Sequence, residues 1–256
     1  MSLTSVVPAA VPVVASWREP ATVAVRGTVI VIPGRGEHAG VYERFGRRIS
    51  ADGYRVWAVA DPALDADRAE GQVRALLAAE PGPVVLVGSD TGALFAAGLV
   101  AGGLGGVDAL VLAGLPTGSG AIPAAWDDEL AARTACPTHQ ARLGDDLAVR
   151  RGALADRVPA AWVAAADAAR IAVPVLGLHG DADTVSPLAG ARSWYAGLAR
   201  GELVTVAGGL HDALNDATHR TTAASIVLFL ERLRLGADVP AIAHVEIVGN
   251  TLGETR

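Results

Sequence analysis

Six short apolar runs recur along the chain, each bounded by Gly, Pro or Asp, and they constrain the fold more than any other feature. The runs are Gly27–Ile32, Tyr54–Ala60, Pro83–Gly88, Ala109–Ala113, Val173–Leu178 and Glu202–Ala207. Uninterrupted Val, Ile and Leu over this length is typical of strands buried on both faces, as in a parallel sheet. The segments between them carry apolar residues at three- and four-residue spacing, which predicts helices. These segments are Val41–Ala51, Asp65–Ala79, Leu94–Ala101, Leu188–Ala199 and Ala217–Leu235. Strands that alternate with helices imply right-handed βαβ crossovers and therefore an α/β fold with a doubly wound, mostly parallel sheet.

One segment interrupts the alternation. Residues 117–170 contain no good strand candidate, only Ala-rich and charged sequence of helical character. In an open α/β sheet, an insertion that leaves the carboxyl end of a strand lies over the ligand crevice. We therefore expect a helical cap at 117–170 on a core formed by residues 1–116 and 171–256, with an irregular tail from Gly236 onward.

Composition narrows the classes of partner. The formal net charge of −6 argues against nucleic acid or an anionic membrane as the main partner. The apolar stretch Ala9–Val14 follows no basic region and is too short to cross a bilayer. The single cysteine, Cys136, excludes an internal disulfide, and we interpret it as a packing residue. We expect a cytoplasmic protein without a membrane-spanning segment, which acts on a small molecule.

The strongest chemical signal is VVLVGSDTGALFAAG, an apolar run followed by Gly88-Ser89-Asp90-Thr91-Gly92 and then a helical pattern. A strand-to-helix turn of the form G-x-nucleophile-x-G holds its middle residue in a strained conformation at the top of the sheet, and side chains at the two glycines would clash with neighbouring backbone. That middle residue is Asp90. The alternative is an ordinary glycine-rich turn that opens a helix.

Two further segments favour the catalytic interpretation. Asp183 follows the apolar run beyond the predicted cap, and His211 follows the last run. Nucleophile, acid and histidine thus occur in the chain order that accompanies an elbow of this form. The spacing between acid and histidine leaves room for one helix and one strand. We predict Asp90, His211 and Asp183 as a catalytic triad.

The segment GTVIVIPGRGEHAGVY, Gly27–Tyr42, resembles the monoglyceride-lipase and lysophospholipase branch of the α/β-hydrolases, which carries HGxGEHxxxY after its third strand. The similarity extends from about Val25 to Arg234. It implies that Asp183 is the acid and His211 the base. It also implies that the backbone N–H groups of Arg35 and Thr91 form the oxyanion hole.

The sequence departs from this branch at two positions. Pro33 occupies the position of the motif histidine, a change that affects the positioning of the loop, and Asp90 occupies the position of the nucleophilic serine. An aspartate at the elbow resembles the haloalkane dehalogenase and epoxide hydrolase branches of the same fold. Its carboxylate can attack a saturated carbon to form an alkyl ester, which His211 then hydrolyses by activating water.

The specialised groups of those two branches are largely missing. Thr91 replaces the halide-binding tryptophan that follows the dehalogenase nucleophile, and the predicted cap has no tyrosine to protonate an opening epoxide. Trp126 and Trp162 are candidate substrate-binding residues in the cap, with core packing as the alternative. Possible substitute proton donors in the cap are His139, Arg133 and Arg142.

Other charged residues have simpler interpretations. The guanidinium of Arg35 could meet an acidic substrate, although a solvent-facing side chain is the simpler expectation for a loop arginine. Ser89, one step before the elbow residue, should point away from the site. The cap arginines alternate with aspartates, as on a solvated helical surface; they are Arg133, Arg142, Arg150 and Arg151. The histidines form no recognisable metal motif, so we expect neither metal nor cofactor.

Three hypotheses remain open at this level. The first is a cofactor-independent hydrolase with Asp90 as nucleophile, acting on a small or medium, mostly apolar substrate. The second is a ligand-binding protein that kept the fold and lost the reaction. The third is lipase-like ester hydrolysis in which Asp90 is a general base for direct attack by water.

Overall fold

A computed structural model describes residues 15–118 and 120–244 of the chain. Within these ranges, seven strands form one sheet. They are β1 (Ala15–Trp17), β2 (Gly27–Ile32), β3 (Tyr54–Ala58), β4 (Val84–Ser89), β5 (Ala109–Ala113), β6 (Val175–Gly180) and β7 (Gly201–Val206). The strand order is β1-β3-β2-β4-β5-β6-β7, and all neighbours are parallel except β1, which runs antiparallel to β3.

The predicted doubly wound sheet is therefore confirmed, and all six apolar runs form its parallel strands. The short strand β1 at the edge was not predicted, because three residues carry too little pattern to be recognised. The chain starts its parallel sheet at β2, adds β3 on one side and then places β4 on the other. The carboxyl ends of β2 and β4 thus meet at the topological switch point, where open α/β sheets bind their ligands.

Eight α-helices accompany the sheet in the described part of the chain. They are α1 (Glu43–Ala51), α2 (Ala66–Ala79), α3 (Thr91–Ala101), α4 (Trp126–Arg133), α5 (Pro137–Asp145), α6 (Ala160–Ala165), α7 (Leu188–Tyr195) and α8 (His219–Leu235). Short 3-10 turns occur at Ala39–Tyr42, Ala153–Ala155 and Ala168–Arg170.

Alternate residues of each strand point into two separate cores, as the two-residue period of a strand requires. On one face Val29 and Val31 pack with α1 and α8. On the other face Ile30 and Ile32 pack with α2, α3 and α7. Both cores consist mainly of Val, Ala and Leu, as the low aromatic content (4%) requires.

The segment between β5 and β6 holds α4, α5 and α6, and its described residues contain no strand. This segment, 117–170 except for residue 119, is called the helical insertion below. Helix α6 packs on α3, the helix that follows the elbow. The insertion thereby packs on the core at this helix.

Among the helices described, none is long and apolar enough to cross a membrane. The apolar stretch Ala9–Val14 lies outside the described residues, as does the end of the chain from residue 245. The described part of the tail contains no helix or strand, but its Val239 is buried in the core beside α8.

Candidate active site

The elbow forms at the predicted residue. Asp90 lies between β4 and α3 with φ 48° and ψ −124°, in the positive-φ region that side chains rarely adopt. A Cβ on Gly92 would lie 2.3 Å from the carbonyl oxygen of Ile32, and one on Gly88 would lie 2.4 Å from the Cα of Ala93. Both glycines are needed because backbone atoms leave no room for a side chain. The turn therefore presents Asp90 at the carboxyl end of β4.

The structure brings the three predicted triad residues together. His211 Nε2 lies 3.3 Å from Asp90 Oδ1, and His211 Nδ1 lies 2.9 Å from Asp183 Oδ2. Asp183 follows β6 and His211 follows β7, so each comes from the carboxyl end of a parallel strand. The backbone N–H groups of Val185 and Ser186 both donate to Asp183 Oδ1 at 2.9 Å, which fixes its carboxylate toward the histidine. Asp90, His211 and Asp183 are all buried.

The side chain of Arg35 contradicts the expectation of a solvent-facing arginine. It is buried (6% exposed) and binds both oxygens of Asp90, Nε donating to Oδ2 at 2.8 Å and Nη2 to Oδ1 at 2.9 Å. Its Nη1 donates to the carbonyl oxygens of Leu154 and Asp156 in the helical insertion. A buried carboxylate requires a counter-charge, and Arg35 supplies it for Asp90. A serine at the elbow, as in the branch that the sequence resembles, would not require one. Arg35 therefore links the elbow to the insertion.

The predicted oxyanion-hole residues flank Asp90. The backbone N–H of Arg35 donates to Asp90 Oδ2 at 2.9 Å, so one of the two predicted backbone donors contacts the elbow carboxylate. Thr91 is the first residue of α3 and is fully buried. Its hydroxyl has no hydrogen-bond partner among the described residues.

The charges of the site are strongly coupled. Burial raises the pKa of Asp90, but Arg35 and His211 outweigh it and hold that pKa well below the ordinary value. Burial lowers the pKa of His211, and the carboxylates of Asp183 and Asp90 outweigh it and raise this pKa to about 10. For Asp183, burial acts upward, while His211, the largest opposing influence, brings the pKa below its ordinary value. At neutral pH the site thus holds an imidazolium between two carboxylates.

A second buried charge network adjoins this site, and sequence reasoning missed it. Arg133, expected on a solvated helical surface, is completely buried instead. Its Nη2 donates to Glu129 Oε1 at 2.9 Å and to the carbonyl oxygen of Arg35 at 2.7 Å, and its Nη1 lies 3.5 Å from Asp212 Oδ1. The guanidinium of Arg133 thus connects the loop that carries Arg35 to α4. The carbonyl oxygens of α4 also accept from the backbone of the His211 loop.

Glu37 of the GEH motif belongs to this network. Its Oε2 accepts the hydroxyl of Tyr42, and the same hydroxyl accepts the backbone N–H of Gly34 at 3.1 Å. Burial, reinforced by the charge of Asp212, raises the pKa of Glu37 to about 8. Glu37 and Tyr42 therefore hold the loop that carries Arg35. The only sequence signal for this role was their shared place in the motif.

The described residues contain one group of donor atoms with the spacing of a metal site. Glu37, His139 and Asp212 each place one such atom within 4.8 Å of the others. The guanidinium Nη1 of Arg133 lies 3.7 Å from Glu37 Oε1, close to the same carboxylates. Because Arg133 already supplies the positive charge there, we interpret the group as part of the charge network. His139 and Arg133 are thus engaged in this network, while Arg142 is exposed and donates to the carbonyl oxygen of Gly40.

Two cavities adjoin Arg35. The larger, of about 520 Å³, is mostly apolar and lies between the insertion and the core. Its lining includes Pro116, Ala121, Ile122, Val158, Val163 and Val185. The smaller, of about 260 Å³, is lined by charged and apolar residues alike and reaches the elbow at Thr91. Arg35 lines both cavities, whereas Asp90 and His211 line neither, so the guanidinium separates them from the triad.

The structure places one of the two predicted substrate-binding tryptophans at these cavities. Trp162 lines the smaller cavity and packs against Phe95, with ring centroids 5.1 Å apart. Trp126 lines neither; it packs on the core and beneath the guanidinium of Arg151, which lies 5.2 Å from its ring centroid. Ser89 is buried on the opposite side of the elbow, beside Tyr42.

Comparison with known proteins gives structural neighbours only. No family model matches the chain, and no curated protein sequence matches it significantly. The structure is similar to the monoacylglycerol lipase of Paleococcus ferrophilus, with a TM-score of 0.71 and 19% identity over 86% of this chain and 97% of that one. It is also similar to a soluble variant of monoglyceride lipase from Saccharomyces cerevisiae, with a TM-score of 0.70 and 16% identity over 85% of this chain and 90% of that one.

An esterase from Exiguobacterium antarcticum is a third neighbour, with a TM-score of 0.61 and 16% identity over 85% of this chain and 94% of the esterase. The strand order, the elbow after β4 and the placement of the acid and histidine after β6 and β7 agree with this similarity. The chain therefore has the α/β-hydrolase fold.

Proposed function

We propose that this chain is a cofactor-independent hydrolase with Asp90 as nucleophile, His211 as base and Asp183 as the acid that orients it. The substrate is a small or medium, mostly apolar molecule bound beneath the helical insertion, which serves as the cap. The observation that carries the proposal is the different surroundings of the two Asp90 oxygens. Oδ2 accepts the backbone N–H of Arg35, and Oδ1 lies 3.3 Å from His211 Nε2.

This arrangement fits a two-step reaction at a saturated carbon. In the first step Asp90 Oδ1 attacks the carbon in line, and the leaving group departs with the bonding electron pair. The low pKa of Asp90 keeps the carboxylate ionised and ready for this step. The product is an alkyl ester of Asp90.

In the second step water hydrolyses this ester. Esterification removes the negative charge of Asp90, one of the two carboxylates that raise the pKa of His211. The imidazolium then loses its proton more readily and becomes a base, oriented by Asp183. Water attacks the carbonyl carbon of the Asp90 ester while His211 takes its proton, and the backbone N–H of Arg35 stabilises the oxyanion. The intermediate then expels the alkyl-bearing oxygen, which takes the proton from His211 and leaves as an alcohol. Asp90 is released as a carboxylic acid and ionises again.

Direct ester hydrolysis finds less support, although the neighbours are named lipases and esterases. An Asp90 carboxylate with a pKa well below its ordinary value is a weak base. Its attack on a carboxylic ester would form a mixed anhydride. A ligand-binding protein without turnover is the second candidate, since Arg35 binds both oxygens of Asp90 and separates it from the cavities.

Trapping the ester tests the proposal. The His211→Ala variant is incubated with alkyl bromides, terminal epoxides and short alkyl esters, and its intact mass is measured. We expect an added alkyl mass that is absent when Asp90→Asn is combined with His211→Ala. His211→Gln repeats the experiment with a polar side chain in place of the imidazole. No adduct with any compound, together with no turnover by the wild type, would favour the ligand-binding candidate.

A further inference from the structure

The smaller cavity beside the elbow has the composition of an anion-binding chamber. Its lining consists of Arg35, Ala63, Thr91, Arg150, Asp156, Arg157, Pro159 and Trp162. Three arginines thus face one aspartate in a volume of about 260 Å³. The chamber shares Arg35, Asp156 and Arg157 with the larger apolar cavity, so the two are neighbouring compartments of one site.

Two donors of this chamber are buried and unsatisfied. The hydroxyl of Thr91, a residue with 0% exposure, has no hydrogen-bond partner in the described part of the chain. The Nε of Arg150 is also buried and lacks a partner there. Native proteins rarely leave buried donors unpaired, and such groups commonly meet a bound molecule. Both unpaired atoms belong to residues that line the same chamber as Arg35.

The ion pairs made by the arginines that line the chamber leave one of the three without a partner. Arg35 is paired with Asp90, and Arg150 is paired with Asp156. Arg157 makes no ion pair with any described residue and is exposed at the chamber wall. An arginine without an ion pair is available to a monoanion, and the fork of its guanidinium fits the two oxygens of a carboxylate.

We propose that this chamber binds the carboxylate of a substrate whose apolar body occupies the larger cavity. On binding, the guanidinium of Arg35 turns from Asp90 to the substrate carboxylate, which uncovers Asp90 Oδ1. Arg35 is thus a specificity-determining residue, and the acid group of the substrate makes the nucleophile accessible. This inference rests on the proposed hydrolase function and names the substrate class for the same site.

The geometry of Arg35 permits this exchange. Its Nη1 already donates to the carbonyl oxygens of Leu154 and Asp156 at the chamber side, while Nε and Nη2 face Asp90. One edge of the guanidinium therefore faces Asp90 and the other faces the chamber. A rotation of the side chain exchanges the carboxylate of Asp90 for that of the substrate. Both charges stay compensated after the exchange, because the substrate carboxylate pairs with Arg35 and His211 remains beside Asp90.

Binding of an unreactive acid tests the chamber independently of catalysis. Isothermal titration calorimetry with hexanoate, hexanol and hexyl phosphate is performed on the wild type, Thr91→Val, Arg150→Gln and Arg151→Gln. Arg151 is the matched control, because it is the adjacent arginine and lies outside the chamber. We expect hexanoate to bind about tenfold or more tightly than hexanol, and each chamber variant to lose about tenfold in hexanoate affinity. Arg151→Gln should bind like the wild type.

Several results would overturn the inference. They are hexanoate binding no tighter than hexanol, no hexanoate binding at millimolar concentration, or hexanoate affinity that neither Thr91→Val nor Arg150→Gln changes. Tighter binding of hexyl phosphate than of hexanoate would contradict the assignment of a carboxylate.

A reactive pair of compounds then tests the role of Arg35. In the His211→Ala background, ω-bromohexanoate should alkylate Asp90 faster than bromohexane. The Asp90 oxygen forms the new bond to carbon, and bromide leaves with the electron pair of the broken bond. Arg35→Gln should abolish this preference. Equal alkylation by both compounds would refute the inference and leave the hydrolase proposal intact, whereas selective hexanoate binding without alkylation by either would refute the hydrolase proposal alone.

Discussion

Replacing Asp90 by Asn should destabilise the fold strongly, which is not expected of an ordinary catalytic nucleophile. Arg35 donates three hydrogen bonds to the Asp90 carboxylate, at 2.8 to 2.9 Å, and the two side chains are only 7% and 2% exposed. Asparagine keeps the shape but removes the charge, so the guanidinium of Arg35 is left buried beside a neutral amide. Removing one partner of a buried ion pair costs about 3–5 kcal/mol.

Urea unfolding at neutral pH measures this cost directly, provided that the slope of the free energy with urea is the same in both proteins. The expected loss corresponds to a fall in melting temperature of roughly 6–20 °C for a chain of this size. Glu70→Gln is the matched control, because Glu70 pairs with Arg74 on the exposed face of α2 and such pairs contribute about 0–1 kcal/mol. An Asp90→Asn protein within about 1 kcal/mol of the wild type would refute the buried ion pair.

Three further predictions concern the same region. Burial raises the pKa of Glu37 from its ordinary 4.5 to about 8, so the stability that its protonated form contributes is complete below pH 4.5 and is lost as the pH rises toward 8. Urea unfolding should show a free energy of unfolding that declines by up to about 1.4 kcal/mol per pH unit in this range, and Glu37→Gln should reduce the decline. Gly92→Ala should cost about 3 kcal/mol or more because its Cβ would overlap backbone, whereas Gly71→Ala in α2 should stabilise by about 0.5–1 kcal/mol, and melting curves compare them. A pKa of His211 near 10 and an ionised Asp90 predict a rate of Asp90 alkylation, followed by intact mass, that is flat from about pH 6 to about pH 9; a rate that climbs with pH over this range would contradict both pKa shifts.

The sequence predicted the elements that depend on local pattern. The strands β2, β4, β5 and β6 were recognisable because both of their faces are buried, and the elbow because two glycines bracket Asp90 at the end of an apolar run. The approach of His211 and Asp183 to the elbow followed from chain order at the carboxyl ends of parallel strands. These inferences require only periodicity and sheet topology.

The sequence could not predict which long charged side chains are directed into the protein and buried. Arg35 and Arg133 look like surface residues in a list of charges, yet both are buried beside carboxylates that lie far away in the sequence. Glu37 showed the same difficulty, since its raised pKa depends on burial and on Asp212, which lies far along the chain. Ion pairs across a fold leave no periodic signal in either partner.

Isotope labelling of Asp90 tests the central claim most directly. The wild type is allowed to turn over the compound that alkylates His211→Ala, in water enriched in heavy oxygen, and the peptide containing Asp90 is analysed by mass spectrometry. If Asp90 is the nucleophile, the first product carries the unlabelled oxygen of Asp90, and Asp90 acquires the heavy oxygen. Product labelled from the first turnover, with Asp90 never labelled, would contradict the account and assign the attack to water.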